Sequence, residues 1–344
     1  MAEAGDDPRE VPWHPRFAAR VVGHRAGAAH FAGAFAAGKL HHAWLLTGPR
    51  GIGKATLAWK MAGHVLDAAR AGGASASDRL VLPPDSATAH WLAGRSHPDL
   101  FVLERQLNDG KPRRLKAEIS VDDARALSHF FSHTAGAGGW RVAIIDAADD
   151  LSGESANALL KLVEEPPPRS LLLMVAHRPG GLLRTLKSRC TRLALSPLSD
   201  DEVMTVLRDL PLEPRIAEAT LAEAAALSGG SPGRALELAA SAGAEAFTAF
   251  RQMKHFGAGQ KIAIANRFAG RTATLDDFNI FAGLLLGWLA GLARERATGN
   301  DGANLAAAHQ KISHSIHRTN ALNLDRRQAV IDAVTLIDDA LRAV

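Results

Sequence analysis

One run limits what this chain can fold into more than any other: Gly48-Pro49-Arg50-Gly51-Ile52-Gly53-Lys54, set between an apolar stretch and a helical pattern. Ala43 to Thr47 reads as a buried strand, and Leu57, Met61 and Val65 recur at helical spacing, so the glycine loop joins a strand to a helix. Backbone N–H groups in such a loop converge at a helix N-terminus, where phosphate finds donors and a favourable dipole, and Lys54 would reach the outer phosphates. The position after that lysine normally carries a hydroxyl that binds the metal. Here it is Ala55, and Thr56 stands one place late, about 100° further round the helix. The residue pattern leaves three states open: weakly held and metal-poor ATP or ADP, an empty loop, or tightly bound nucleotide.

Apolar runs of strand length alternate with helical patterns to about residue 195, the signature of a parallel α/β sheet with crossover helices. Further strands are expected over 99–104, 141–146, 171–175 and 191–195. Ser120 with Asp123, and Ser199 with Glu202, have the spacing of helix capping boxes, while Pro166-Pro167-Pro168 must stop the helix that carries Ala156, Leu159, Leu160 and Val163. Asp146 closes an apolar strand, the place from which an aspartate holds magnesium, often through water. The next residue, Ala147, replaces the carboxylate that would orient an attacking water. Asp149 and Asp150 follow too late in the chain and read as capping or loop carboxylates. Autonomous ATP hydrolysis is therefore not expected.

A formal charge of +4 over 344 residues does not by itself argue for nucleic acid, although the high pI leaves it open. The single cysteine, Cys190, excludes a disulfide framework or a thiolate zinc site within one chain and fits a reducing, cytoplasmic setting. Cys190 reads as a packed apolar residue. Residues 1–10 lack the pattern of a signal peptide and read as a loose end. The stretch 280–293 is broken by Gly283, Gly287 and Gly291 and is too short for a membrane span, so a buried helix is expected and no membrane partner.

Trp140 to Pro167 (WRVAIIDAADDLSGESANALLKLVEEPP) and the Ser188-Arg189-Cys190 triplet resemble the clamp-loader branch of the AAA+ ATPases. Pro15-Arg16 and Val22-Gly23-His24 resemble that branch's N-terminal adenine-side box, His42 to Leu46 its first strand, and Gly230-Ser231-Pro232-Gly233-Arg234 its lid arginine region. The resemblance covers roughly residues 12–240; beyond, it rests on helical character and length. It implies that Arg189 acts in trans, as an arginine finger on the ATP of an adjacent subunit, with Arg234 as the lid arginine, Val22 beside the nucleotide, and His177 at the place of a polar phosphate sensor. Taken from the residues alone, Arg189 reads as a surface or salt-bridged arginine, Arg234 equally well as a solvated first-turn residue, and His177 as a loop histidine with no phosphate role. Many bacterial members insert a four-cysteine zinc module between the glycine loop and the acidic strand; residues 67–98 here hold no cysteine, so no zinc is expected.

The implied organisation is a flexible N-terminus over 1–12, an AAA+ domain over 13–196, a three-helix lid over 197–243 and a helical oligomerisation domain, the collar, over 244–344. The implied partners are motor subunits of the gamma/tau type and a delta-type subunit, with the sliding clamp reached indirectly and primed DNA through the complex. A self-sufficient AAA+ motor such as a branch-migration helicase would need a hydroxyl at Ala55 and a carboxylate at Ala147. A collar subunit with no trans role is opposed only by the Ser188-Arg189-Cys190 triplet. The basic run Lys111 to Lys116 reads as a solvated hairpin rather than a nucleic-acid contact, because no aromatic residues interleave with the charges.

Overall fold

Strands that are apolar along almost their whole length must be covered on both faces, and the three interior strands of this sheet are buried nearly throughout, while the two edge strands are only partly so. In the computed structural model the five strands are β1 (Ala43–Thr47), β2 (Leu100–Glu104), β3 (Arg141–Asp146), β4 (Ser170–Ala176) and β5 (Thr191–Ala194). They form one sheet in the order β2-β3-β4-β1-β5, every neighbouring pair parallel. The structure describes residues 7, 9–71, 80, 82–108, 110, 114–136, 139–212, 216, 218–253, 255–269, 274–296 and 300–342.

Strand alternation sorts the core into two layers. Trp44, Leu46, Val142, Ile144, Leu173 and Val175 share a buried cluster with Phe31 of α1 (Arg25–Ala36) and with Leu57, Met61 and Val65 of α2 (Lys54–Arg70). Ala43, Leu45, Ala143, Ile145, Leu172 and Met174 share the other cluster with residues of three later helices. Next in the chain after α2 comes α3 (Ala87–Ala93), which is capped by Ser86 and packs its Leu92 in the first layer. The helices of the second layer are α4 (Val121–Ser132), α5 (Gly153–Glu164) and α6 (Arg184–Ser188). Ser120 and Asp123 close the expected capping box on α4, and α5 ends two residues before Pro166.

The chain divides into two compact units. The first unit comprises residues 1–215 and 230–233, the second 216–229 and 234–344. The helix α7 (Asp200–Asp209), expected in a separate lid, stays with the first unit because the segment before α1 holds it. Arg20 is paired with Asp209 at 2.8 Å, and Gly23, at φ 67°, lies against Leu198 just ahead of α7. The expected loose end over 1–12 is likewise tied from Arg9 onward, since Arg9 pairs with Glu104 at 3.1 Å and Glu10 with Arg16 at 2.6 Å. Residues 1–6 and 8 lie outside the described residues.

The second unit is helical among its described residues: α8 (Glu218–Leu227), α9 (Pro232–Ala239), α10 (Ala242–Arg251), α11 (Ala258–Asn266), α12 (Leu275–Glu295), α13 (Asn300–Leu322) and α14 (Arg326–Arg342). Its α8 joins the later helices, with Thr248 of α10 donating to Glu223 at 2.7 Å. The apolar helix α12 is long enough to cross a membrane by length and composition; about a third of its apolar window is buried, including Phe278, Phe281, Leu285 and Leu289. A Lys261–Asp338 ion pair of 3.0 Å joins α11 to α14. Of the basic run, residues 111–113 lie outside the described residues; an antiparallel bridge joins Leu107 and Leu115.

Candidate nucleotide-loop site and trans arginine

The carboxyl ends of β1, β3 and β4 lie side by side: Thr47 is in register with Ala176, and Asp146 with Val175. After β1 the chain crosses to the far edge of the sheet and returns, finally placing β5 on the other side of β1, so a crevice forms where the strand order reverses. Gly48 to Gly53 fill this end, and Lys54 opens α2. Gly48 has φ 148°, and a β-carbon there would sit 2.4 Å from the Leu195 carbonyl oxygen, so only glycine lets the chain leave β1 along this path.

The loop is bonded from within its own chain. The Lys54 ammonium donates to the carbonyl oxygens of Gly48, at 2.8 Å, and Pro49. Ser231 Oγ donates to Arg50 O at 3.0 Å, and the Gly233 N–H donates to Gly51 O at 3.0 Å. A β-carbon on Gly233 would lie 3.0 Å from Gly51 Cα, so the close approach requires glycine at that position too. Ring nitrogen Nε2 of His24 lies 2.7 Å from Ile52 O and, as the protonated tautomer, donates to it. Five consecutive carbonyls, Gly48 to Ile52, thus have partners from Lys54, Ser231, Gly233 and His24.

Burial brings the Lys54 ammonium down to about 8, against the pull of Asp146 and Asp149. Burial and the neighbouring Glu104 carboxylate push Asp146 up to about 6, with Lys54 opposing. The native state therefore keeps the Asp146 proton to a higher pH than the unfolded chain does, and this group's contribution to stability falls as pH rises from about 4 to 6. Asp146→Asn should remove that loss, so its stability relative to the parent should grow by about 1–2 kcal/mol across the window and then level. Urea denaturation between pH 4 and 8 reads the difference; a difference flat with pH would show that Asp146 is not the group responsible.

Asp149 has a different place from the one expected of a solvated carboxylate. It accepts the backbone N–H groups of His177 and, at 2.8 Å, Arg178, and so holds the turn that leaves β4. His177 then sits at the strand end, where burial and the Lys54 charge lower its pKa, and its Nδ1 is a buried atom with no hydrogen-bond partner among the described residues. Val22 is half-buried two residues before α1's cap, Thr56 is half-buried on α2, and Arg234 is exposed on α9 in the second unit. The magnesium-nucleotide set fits poorly: Ala55 and Ala147 have no side-chain oxygen, and Lys54 is already engaged with the loop's own carbonyls.

The Ser188-Arg189-Cys190 triplet ends α6. Cys190 donates its thiol to Leu186 O at 3.0 Å, and burial pushes it up to about 12, which makes it a packing residue and no nucleophile. Arg189 is partly exposed. Its Nη1 donates to Thr185 O at 3.0 Å and its Nη2 pairs with Glu164 Oε1 at 2.8 Å. Glu164, His24 and Ser231 all stand in motifs read from the sequence, but without the partners they have here: Arg189 for Glu164, and the loop carbonyls for His24 and Ser231. The EEPP and glycine-serine signals contained those residues, but nothing in their spacing says which partner each would meet.

A family model described as DNA polymerase III, delta subunit matches residues 23–199, which span the glycine loop, Asp146 and Arg189. That is half of the chain. The chain belongs to this family. Its curated relatives include the DNA polymerase III subunit delta' of Pseudomonas aeruginosa, 40% identical over 192 residues, which are 56% of this chain and 53% of the relative. The delta' subunit of Escherichia coli is 30% identical over 204 residues, 59% of this chain and 56% of the relative. The tau subunit of Escherichia coli is 27% identical over 207 residues, 60% of this chain and 29% of the relative. The chain spans about half the length of the delta' relatives it matches. The α/β unit with its parallel sheet is the part the family model covers.

Proposed function

We propose that this chain is a delta'-type subunit of a bacterial clamp loader. In this reading it assembles with gamma/tau-type motor subunits and a delta-type subunit, and the complex opens the sliding clamp and places it on primed DNA. The chain would contribute Arg189 to the ATP site of a neighbour and act otherwise as a platform. The observation that carries the reading is the contrast between two sites in one unit. The glycine loop is hydrogen-bonded by its own chain and lacks side-chain oxygens at Ala55 and Ala147, whereas Arg189 is accessible at the end of α6. A planar, permanently charged fork suits a contact with a partner's phosphates better than an ammonium does.

ATP or ADP at this chain's own loop would be weak, and no zinc enters the reading. The three-helix lid and collar keep their proposed roles as the lid and the ring-forming part, whatever the boundary between compact units, and a cytoplasmic location follows from the role. A self-sufficient motor has no observation in its favour.

The free chain should hydrolyse ATP no faster than the Lys54→Ala variant. Phosphate release from the purified chain, at the concentration used for a reconstituted loader, provides the measurement. Turnover near that of the loader and dependent on Lys54 would overturn the reading.

A further inference from the structure

We propose that Glu164 is a positioning residue for Arg189: the carboxylate at the end of α5 holds the guanidinium at the end of α6 in the orientation it uses in trans. This rests on the trans reading of Arg189. The two helices belong to the same unit and lie against each other in the second core layer, so their ends are fixed relative to one another. The contact bridges them: Nη2 to Glu164 Oε1 is 2.8 Å, while Nη1 is held on Arg189's own helix by Thr185 O at 3.0 Å. Both contacts leave further guanidinium N–H groups for another acceptor.

The geometry suits positioning rather than burial. The side chains are 39% and 44% exposed, so the pair is accessible to a neighbour and too solvated to matter for folding. A free arginine on an exposed helix end samples many rotamers, and each one lost on contact lowers the effective concentration of the charge at the partner's phosphate. Two anchors from two helices remove that freedom beforehand. Glu164 ends α5 as Pro166 requires, which places its carboxylate at the foot of that helix, and α6 presents Arg189 in its C-cap. Neither residue is needed to satisfy a buried group of the core.

The test is a double-mutant cycle on ATP turnover in the reconstituted complex, using Glu164→Gln, Arg189→Ala and the double variant. Glu164→Gln alone should lower turnover roughly two- to fivefold, the size of an exposed ion pair, and Glu164→Ala at least as much. In the Arg189→Ala background the same change should do nothing. A fall of equal size in both backgrounds, no change, or a rise with Glu164→Gln would overturn the positioning role. A complex whose turnover is insensitive to Arg189→Ala alone would remove the trans reading, and the proposal with it, by a result that involves no change at Glu164. Arginine side-chain nitrogen NMR of the free chain gives a readout apart from turnover: guanidinium rotation at Arg189 should be slowed in the parent and fast in Glu164→Gln, and equal rates would overturn the proposal.

Discussion

Arg189→Ala in the reconstituted complex is expected to lower ATP turnover by about 10³-fold while leaving the fold and assembly in place. The size follows from the proposed trans role, in which the guanidinium would meet charge that develops on the transferring phosphoryl group, so that its loss would be felt in the transition state more than in substrate binding. The fold should be indifferent because Arg189 is partly exposed, outside the buried clusters, and its ion pair with Glu164 is solvated. Arg189→Lys should recover little, since an ammonium lacks the fork. Steady-state turnover with unchanged circular dichroism and co-elution gives the measurement; loss of assembly with Arg189→Ala would assign the residue to the interface instead.

The second large effect is structural. Trp44→Ala should cost about 3–5 kcal/mol, because Trp44 is 1% exposed in the interior strand β1, with His30 and Phe31 rings packed at 5.3 and 5.1 Å. The site rests on the same strand, which leads directly into Gly48, so the cavity should loosen the glycine loop as well. A melting temperature lowered by roughly 6–20 °C is expected for a unit of this size. A shift of under a few degrees would mean that neighbours collapse into the space.

Much of the α/β unit was legible in the sequence because local rules decide it. All five strands appear within a residue of expectation, since uninterrupted apolar runs bounded by turn residues have few other uses. Ser120–Asp123 and Ser199–Glu202 are capping boxes because the interaction lies within one turn. The unit boundary was not legible. Whether α7 belongs with the sheet or with later helices depends on Arg20–Asp209 and on Gly23 against Leu198, contacts between segments nearly 200 residues apart in one case and joined by no periodicity. The site divides the same way. Gly48 to Lys54, Asp146 and Arg189 could be named from spacing and resemblance, but the donors that meet the loop's carbonyls come from His24, Ser231 and Gly233, far along the chain. Asp149 was read as a loop carboxylate because its partners, two N–H groups after β4, become neighbours only when β3 and β4 pair.

The internal bonding of the glycine loop has a consequence for any ligand that would enter it. Phosphate oxygens accept hydrogen bonds and cannot donate to a carbonyl. A nucleotide that drew Lys54 away, or that wedged the 231–233 segment off the loop, would leave Gly48, Pro49, Arg50 and Gly51 carbonyls needing donors that it could not supply. Each one left dry costs about 1–3 kcal/mol, so water would have to follow the ligand in. The loop thus discriminates by hydrogen-bond polarity: it favours its own donors over an incoming acceptor.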